Sequence, residues 1–311
     1  MYLRQAEITI LLFLAPLALI DGWLIVAKDQ AVDWASYAPG ILAALVVIAV
    51  GLAYRALDRS EGIALGSIAT GLFVLFTILA SILNYLLFPL AAPTIDPVLA
   101  RIDAMFGYHW PDFVAMFGAW PWLGTVLGRI YLTSLPQLVL VVILLGFMEK
   151  PVALHRFLLT GIIGAALSIG IWWLAPSFGP STMHDIPGDL ANSIDLVVRN
   201  EYGAELLRLA IEGSALITAK DTLGVIAFPS FHTVMALMAI WFTWETRLRA
   251  PFLLVNIAMI PAILVHGGHH LIDLAGGVAV FAVALVMARM LVPAGAEHRK
   301  PAIVTRRPAR P

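Results

Sequence analysis

The chain has 311 residues, 61% of them hydrophobic and 13% charged, with a formal net charge of −1. Soluble domains are usually about 45–50% apolar and about 25% charged, so this composition indicates an integral membrane protein. Nucleic acid is not expected as a partner, because no basic surplus exists to neutralise phosphates. The chain has no cysteine, which excludes disulfides, iron–sulfur clusters and cysteine nucleophiles.

Eight apolar runs approach or exceed the roughly 20 residues that a membrane-spanning helix requires. They lie at 8–27, 38–57, 63–88, 130–148, 153–175, 225–246, 252–272 and 273–292. The sequence therefore predicts an all-α polytopic membrane protein with about eight transmembrane helices. Seven is the alternative, because only a short polar stretch separates the last two runs. The first run lacks a small-x-small cleavage site after it and is interpreted as a retained span.

The segments between and after these runs complete the predicted organisation. Residues 1–90 form N-terminal transmembrane helices, and 129–292 form a transmembrane core. The segment 91–128 is rich in Trp, Tyr and Phe and interrupted by prolines, which predicts short helices in the membrane interface. Within the core, 176–224 has apolar positions at helical spacing and is predicted to be an ordered cap on the non-cytoplasmic side. The basic tail, 293–311, is predicted to be disordered.

The positive residues predict the orientation of these spans. With eight spans, thirteen of the 19 Lys and Arg residues fall on the side of the two termini and six on the other side. Lys and Arg favour the cytoplasm, so both termini are expected there. The cap is then expected on the periplasmic side of a bacterial inner membrane, or on a lumenal side.

A cluster of ionisable residues, HGGHHLID, occupies 266–273. On one continuous helix, His266, His269, His270 and Asp273 would share a face. Ionisable groups at membrane depth are costly unless they are paired or used, so the cluster predicts a functional site. A packed polar seam between helices is the alternative.

A second polar stretch, AFPSFH, occupies 227–232. Proline at the first turn of a helix leaves backbone N–H groups free, and the helix dipole there favours an anion such as phosphate. Ser230 adds a hydroxyl group and His232 a titratable ring. Both polar stretches are expected at the non-cytoplasmic ends of neighbouring spans, which predicts a single site.

These residue types fit phosphoryl transfer. An aspartate that holds one ring nitrogen of a histidine raises the basicity of the other, and such a histidine can attack phosphorus. The second histidine can protonate the leaving oxygen and then activate the incoming nucleophile. The scheme requires no metal and no cofactor.

The motifs resemble the type-2 phosphatidic acid phosphatase superfamily. In that family a P-S-G-H motif precedes a second motif in which five residues separate Ser-Arg from H-x-x-x-D. Here PSFH is followed, 37 residues after His232, by His269 and then Asp273. The resemblance covers roughly 95–292 and implies a six-helix catalytic core. It also implies that His269 is the nucleophile, Asp273 its orienting residue and His232 the general acid and base.

Three features resemble the branch that contains the inositol phosphorylceramide synthases. Phe231 replaces the usual glycine, paired histidines precede the aspartate, and LTSLPQ lies at 132–137. This branch implies transfer of a phosphate or phospho-headgroup from a lipid phosphate or phospholipid donor to a lipid hydroxyl. Transfer to water, which would make the protein a phosphatase of phosphatidic, isoprenyl or sphingoid phosphates, is the alternative.

The family's cationic motifs are absent, and Ile263 stands where an arginine is expected. Phosphoryl transfer needs positive charge around the equatorial oxygens. Lys220 and Arg129 are therefore predicted to bind phosphate together with Ser230. His266 is predicted to bind phosphate as a partial substitute for the arginine, with a role as only a polar neighbour as the alternative. Arg199 and Arg208 are weaker candidates for phosphate binding on this side. His270 is expected to be structural, and His184 is expected to be solvated.

Rival classes remain open from the residues alone. Clustered histidines with a carboxylate suit zinc, and histidines can be axial haem ligands. Intramembrane His and Asp can also form the proton relay of a transporter. An intramembrane serine protease built on Ser230 is disfavoured, because no glycine-rich nucleophile turn surrounds it.

Overall fold

The computed structural model describes residues 3–220 and 222–295, and within them the chain is helical and forms no β-strand. The prediction for the tail therefore falls, from residue 296 onward, outside the described residues. The α-helices are α1 Gln5–Ala27, α2 Trp34–Ala56, α3 Glu61–Leu86, α4 Asp96–Met105, α5 Trp110–Met116, α6 Pro121–Leu132, α7 Ser134–Phe147, α8 Pro151–Leu174, α9 Gly188–Ser193, α10 Asn200–Glu212, α11 Phe231–Thr243, α12 Arg249–His266 and α13 Leu271–Leu291.

The predicted all-α membrane fold is confirmed, with spans that differ in detail from the apolar runs. Six helices of the described chain (α1, α2, α3, α8, α12 and α13) are long and apolar enough to cross a membrane. The helices α6 and α7 pass the same test together but are bent by 47° at their junction, which gives up to seven spans. The remaining run, 225–246, contains α11, whose 13 residues are short of the roughly 20 that a full span requires.

The bundle is organised around α3, α8 and α11. Helix α3 packs against α1, α2 and α7, while α8 packs against α13, and α11 contacts α7, α8, α12 and α13. Fully buried side chains at the centre include Phe157 and Leu154 of α8 and Leu145 of α7. Because α11 touches four neighbours, its first turn is fixed relative to both α12 and α13.

The two ends of the bundle carry different polar structures. At the end where α1 begins and α13 finishes, buried Glu7 accepts two hydrogen bonds from Arg55, at 2.7 and 2.9 Å. At the opposite end, Lys28 donates to the carbonyl oxygens of Leu86 and Phe88. The turn between α12 and α13 lies at this second end, so both described chain ends are remote from it.

Short helices cover the second end of the bundle. Trp110 of α5 donates from Nε1 to the carbonyl oxygen of Leu264 in α12, at 2.9 Å. Ile194 and Leu196, which follow α9, are buried with Trp110 and with Val265 of α12 in one apolar cluster. The part of the segment 176–224 that contains α9 therefore packs over the end of α12, whereas Leu206 and Leu209 of α10 pack with Tyr85 and Trp172.

Candidate functional site

The turn between α12 and α13 divides the histidine cluster. Helix α12 ends at His266 and α13 begins at Leu271, so the prediction that four groups share the face of one helix is wrong. The chain reverses at Gly267 and Gly268, and Gly268 has a φ of +57°, which favours glycine. His269 and His270 consequently lie in the turn, while Asp273 lies in the first turn of α13.

His269 and Asp273 form a buried pair. The Nδ1 atom of His269 lies 3.0 Å from Oδ2 of Asp273, and the two residues are 2% and 0% exposed. The same carboxylate oxygen accepts the backbone N–H of His270 at 2.9 Å. The hydroxyl group of Tyr108 donates to the carbonyl oxygen of His269, at 3.2 Å. With Nδ1 held by the carboxylate, Nε2 is the ring nitrogen left for chemistry.

The first turn of α11 lies directly against this pair. The backbone N–H of Ser230 donates to the carbonyl oxygen of Asp273 at 3.0 Å, which joins the start of α11 to the start of α13. The side chain of Ser230 caps α11 by accepting the N–H of Thr233. The rings of His232 and His269 are 6.1 Å apart between centroids. The structure thus brings His232, His269, Asp273 and Ser230 together.

Tyr131 of α6 is a neighbour that sequence reasoning missed. Its ring stacks on the ring of His232, with centroids 4.4 Å apart and planes at 24°. A Cβ atom placed on Gly267 would lie 3.1 Å from Tyr131 Cε2 and 2.6 Å from His269 Cδ2. Tyr131 is therefore packed against the surroundings of both histidines. It immediately precedes the LTSLPQ stretch, but nothing in the spacing there singles it out.

Asp96 and Asp103 of α4 were also missed. His270 Nδ1 lies 2.9 Å from Asp103 Oδ2, and its Nε2 lies 3.5 Å from Asp96 Oδ1. Burial alone would lower the pKa of His270, but the two carboxylates outweigh it and raise the pKa to about 9. Asp96 and Asp103 lie more than 160 positions before His270, and no periodic signal connects them to it.

The predicted phosphate-binding residues lie in different surroundings. His266 is buried, with its Nε2 atom 2.8 Å from the carbonyl oxygen of Gly124 in α6. Lys220 is exposed and lines a pocket of about 540 Å³ whose lining includes Tyr85 but none of the clustered histidines. Arg129 is exposed on α6. Among the hydrogen bonds and ion pairs of the described residues, none joins Lys220 or Arg129 to His269 or Asp273.

The weaker candidates are bound to other groups. Arg208 pairs with Glu205 and Glu212 on the surface of α10. Arg199 donates to the side chain of Asn192 at 2.7 Å. His184 packs edge-on against His109, with ring centroids 5.2 Å apart. No group of three or more His, Asp or Glu residues in the described chain is arranged to hold a metal ion.

The site has an apolar neighbour inside the bundle. A narrow cleft of about 40 Å³ is lined by Phe231 and Met235 of α11, with Phe76 of α3, Leu135 of α7 and Phe157 of α8. Phe231 immediately precedes His232. The polar site thus borders a space that is suited to hydrocarbon.

Comparison with known families identifies the class of protein. The family model of the PAP2 superfamily matches residues 97–287, more than half of the chain. The chain therefore belongs to the PAP2 superfamily, an all-helical membrane fold, as the resemblance in its motifs predicted. Neither a curated protein nor a solved structure matched the chain in the same comparisons.

Membership in this superfamily indicates an enzyme of the phosphatase or phosphotransferase type. The matched region includes Asp103, Tyr131, Ser230, His232, His269, His270 and Asp273, and it begins one residue after Asp96. It begins after the first three spans, which lie outside the match.

Proposed function

We propose that this protein is a lipid phosphotransferase that works through a phosphohistidine on His269. The observation that carries the proposal is the pair of His269 and Asp273, 3.0 Å apart, beside the ring of His232 at the start of α11. In this arrangement the carboxylate fixes the ring and stabilises its positive charge, while Nε2 is free to attack. The superfamily match supports the same reaction class.

The reaction takes two displacements. In the first, Nε2 of His269 attacks phosphorus of the donor, the N–P bond forms, and the P–O bond to the leaving group breaks. His232 gives its proton to the leaving oxygen. In the second, His232 takes a proton from the acceptor hydroxyl, the acceptor oxygen attacks phosphorus, and the N–P bond breaks. His269 and His232 finish in their starting states.

Backbone groups supply the phosphate site in this proposal. The first N–H groups of α11, those of Phe231 and His232, have no acceptor within their own helix. They lie at the positive end of the helix dipole and beside Ser230, which suits them to phosphate oxygens. This arrangement accounts for phosphate binding without the missing arginine of the family motif. Lys220, Arg129 and His266 are predicted phosphate ligands from the sequence, and the proposal does not require them, because the backbone groups bind the phosphate.

The burial of the site favours transfer over hydrolysis. Ser230 and Asp273 are 0% exposed and His269 is 2% exposed, so bulk water has little access to the intermediate. The apolar lining of the cleft beside Phe231 is compatible with a lipid substrate. Together with PSFH and the paired histidines, these features favour an inositol phosphorylceramide synthase-like activity. Transfer to water would instead make the protein a lipid phosphate phosphatase.

The expected orientation follows from the two ends of the bundle. The site lies at the end opposite the first turn of α1 and the last turn of α13. The excess of Lys and Arg at the terminal end favours the cytoplasm. The active site then faces the periplasm or a lumen, and the substrate enters from the outer leaflet of the membrane.

The test uses purified protein in lipid nanodiscs with excess chelator. Lipid phosphates and glycerophospholipids are supplied with and without a ceramide or diacylglycerol acceptor, and free phosphate and new lipids are both measured. A new phospholipid that requires the acceptor supports the transferase, whereas free phosphate without an acceptor identifies a phosphatase. Turnover that survives His269→Ala, or that appears only when a metal is returned, contradicts the mechanism.

A further inference from the structure

His270 is enclosed by two carboxylates that belong to a different part of the chain. Its Nδ1 atom lies 2.9 Å from Asp103 Oδ2, and its Nε2 atom lies 3.5 Å from Asp96 Oδ1. All three side chains are at most 3% exposed. A buried ion pair stripped of one partner leaves an uncompensated charge, which is strongly destabilising. If His270 were neutral, Asp96 and Asp103 would be two buried carboxylates with no cation between them.

Each carboxylate also holds a backbone segment of the site. Asp103 accepts the N–H groups of Leu271 and Ile272, at 3.0 and 3.2 Å, and so caps the start of α13. Asp96 accepts the N–H groups of Phe178 and Gly179, at 3.1 and 2.9 Å, and thereby holds the loop after α8. The carboxylates therefore connect α4 to α13 and to this loop.

The loop in turn supports the α12–α13 turn. A Cβ atom on Gly179 would collide with the carbonyl oxygen of Gly268, so the two backbones are in direct contact. The N–H group of His270 itself donates to Asp273 at 2.9 Å, the same oxygen that holds His269. A shift of His270 would consequently move Asp273 relative to the ring of His269.

We propose that His270 acts as a buried imidazolium clamp, held between Asp96 and Asp103, that positions the His269–Asp273 pair for phosphoryl transfer. The effect of this clamp on catalysis rests on the proposed function. His270 is a positioning residue, because it acts through the backbone of the turn and through Asp273. The nearby segment that contains α4 thereby contributes to the geometry of the site without contacting the substrate.

The charge state of His270 depends on every ionisable group that faces it. These groups are Asp96 and Asp103 of α4, Asp273 of α13, Tyr108 after α4, and His184 and His109 across a pocket of about 240 Å³. The carboxylates raise the pKa of His270 to about 9. The pKa of His184 is lowered, first by burial, then by the charge of His109, and then by the charge of His270. His270 is therefore protonated at neutral pH, and it loses its positive charge as the pH rises through about 9.

The first arm of the test measures the charge directly. Histidine-labelled protein in nanodiscs is titrated by ¹⁵N nuclear magnetic resonance, and the His270 signals are assigned with His270→Gln. We expect an imidazolium at pH 7, with a midpoint that falls by about 1–3 units in Asp96→Asn and Asp103→Asn. Asp103→Glu keeps the charge and should keep the midpoint above that of Asp103→Asn. A neutral His270 at pH 7 overturns the clamp whether or not the protein is active.

The second arm measures catalysis with the same proteins. Asp103→Asn and His270→Gln should lower kcat about 10- to 100-fold with a smaller change in KM, as when groups that orient a functional histidine are removed. The alkaline limb of kcat should move to lower pH in Asp96→Asn. Glu205→Gln, which removes an exposed carboxylate of α10 outside this pocket, is the control and should leave kcat and its pH profile unchanged.

Two outcomes separate the clamp from the proposed function. If lipid transfer occurs but the clamp variants keep the kcat and pH profile of the unsubstituted protein, the clamp is wrong and the phosphotransferase stands. If no phosphoryl transfer occurs under any condition, the proposed function fails and the catalytic role of His270 fails with it. The titration still decides in that case whether His270 is a buried cation.

Discussion

Replacing Asp273 by Asn tests how the nucleophile is oriented. In the structure one carboxylate oxygen of Asp273 accepts from both His269 Nδ1 and the His270 backbone N–H, at 3.0 and 2.9 Å. The His270 N–H will hold the amide oxygen of Asn at that position, so the ring should keep its tautomer and lose only the negative charge. A hydrogen bond to a charged group contributes about 1.5–3 kcal/mol, which corresponds to a loss of about 10- to 150-fold in rate.

The assay is a single turnover in nanodiscs, in which the rate of phosphoryl transfer from the donor to the protein is followed. When the histidine of a Ser-His-Asp triad is held in the wrong tautomer, the rate falls about 10⁴-fold. A fall of that size in Asp273→Asn would show that the His270 N–H does not orient the Asn amide. The matched control is Asp112→Asn, because Asp112 Oδ2 contacts His109 Nδ1 at 2.8 Å on the exposed surface. A change of less than about twofold in Asp273→Asn would refute the assigned role of the pair.

Three further predictions concern the supports of the site. Gly277→Ala should destabilise the protein by about 1–3 kcal/mol in thermal unfolding and reduce activity. The new Cβ atom would lie 2.7 Å from Thr233 Cβ and push the starts of α11 and α13 apart. The control is Gly170→Ala, because no atom lies within 4 Å of the added Cβ there. Lys220→Ala and Arg129→Ala should leave KM for the donor within about twofold, because both side chains are exposed and the proposed phosphate site is made by backbone N–H groups of α11. A tenfold rise in either variant would identify that residue as a phosphate ligand. Glu7→Gln should cost about 1–3 kcal/mol in a denaturant titration, because it replaces the buried carboxylate that accepts two hydrogen bonds from Arg55, while Arg55 keeps its pair with Glu61. Glu205→Gln removes an exposed pair with Arg208 and should cost about 1 kcal/mol or less.

The sequence predicted those features that depend on local signals. Long apolar runs specify spans, and Ser230 specifies the start of α11, because it is the N-cap residue of a helix that begins at Phe231. Pro229 precedes the helix, so the prediction that it lies in the first turn is wrong. Since both polar stretches were expected at the same ends of neighbouring spans, the proximity of His232 and His269 was also expected. The superfamily was predicted from these motifs and is confirmed by the match over 97–287.

The remaining features depend on contacts between distant parts of the chain. The turn at Gly268 could not be placed in a run whose histidines also suit a continuous helix. Tyr131, Asp96 and Asp103 reach the histidines only because α4 and α6 fold back over α12 and α13. Charge and position along the chain suggested Lys220 and Arg129, and their role in phosphate binding remains a prediction, because packing that the sequence does not encode locally sets the position of a long surface side chain.

The most direct test of the account is to find the covalent intermediate. The protein in nanodiscs is given a lipid phosphate donor with excess chelator and no acceptor, quenched in alkali, where phosphohistidine is stable, and its peptides are analysed by mass spectrometry. The account predicts an adduct on His269 that is absent in His269→Ala and disappears when the acceptor is added. An adduct on Ser230 or another residue, or turnover without any adduct on His269, would contradict it.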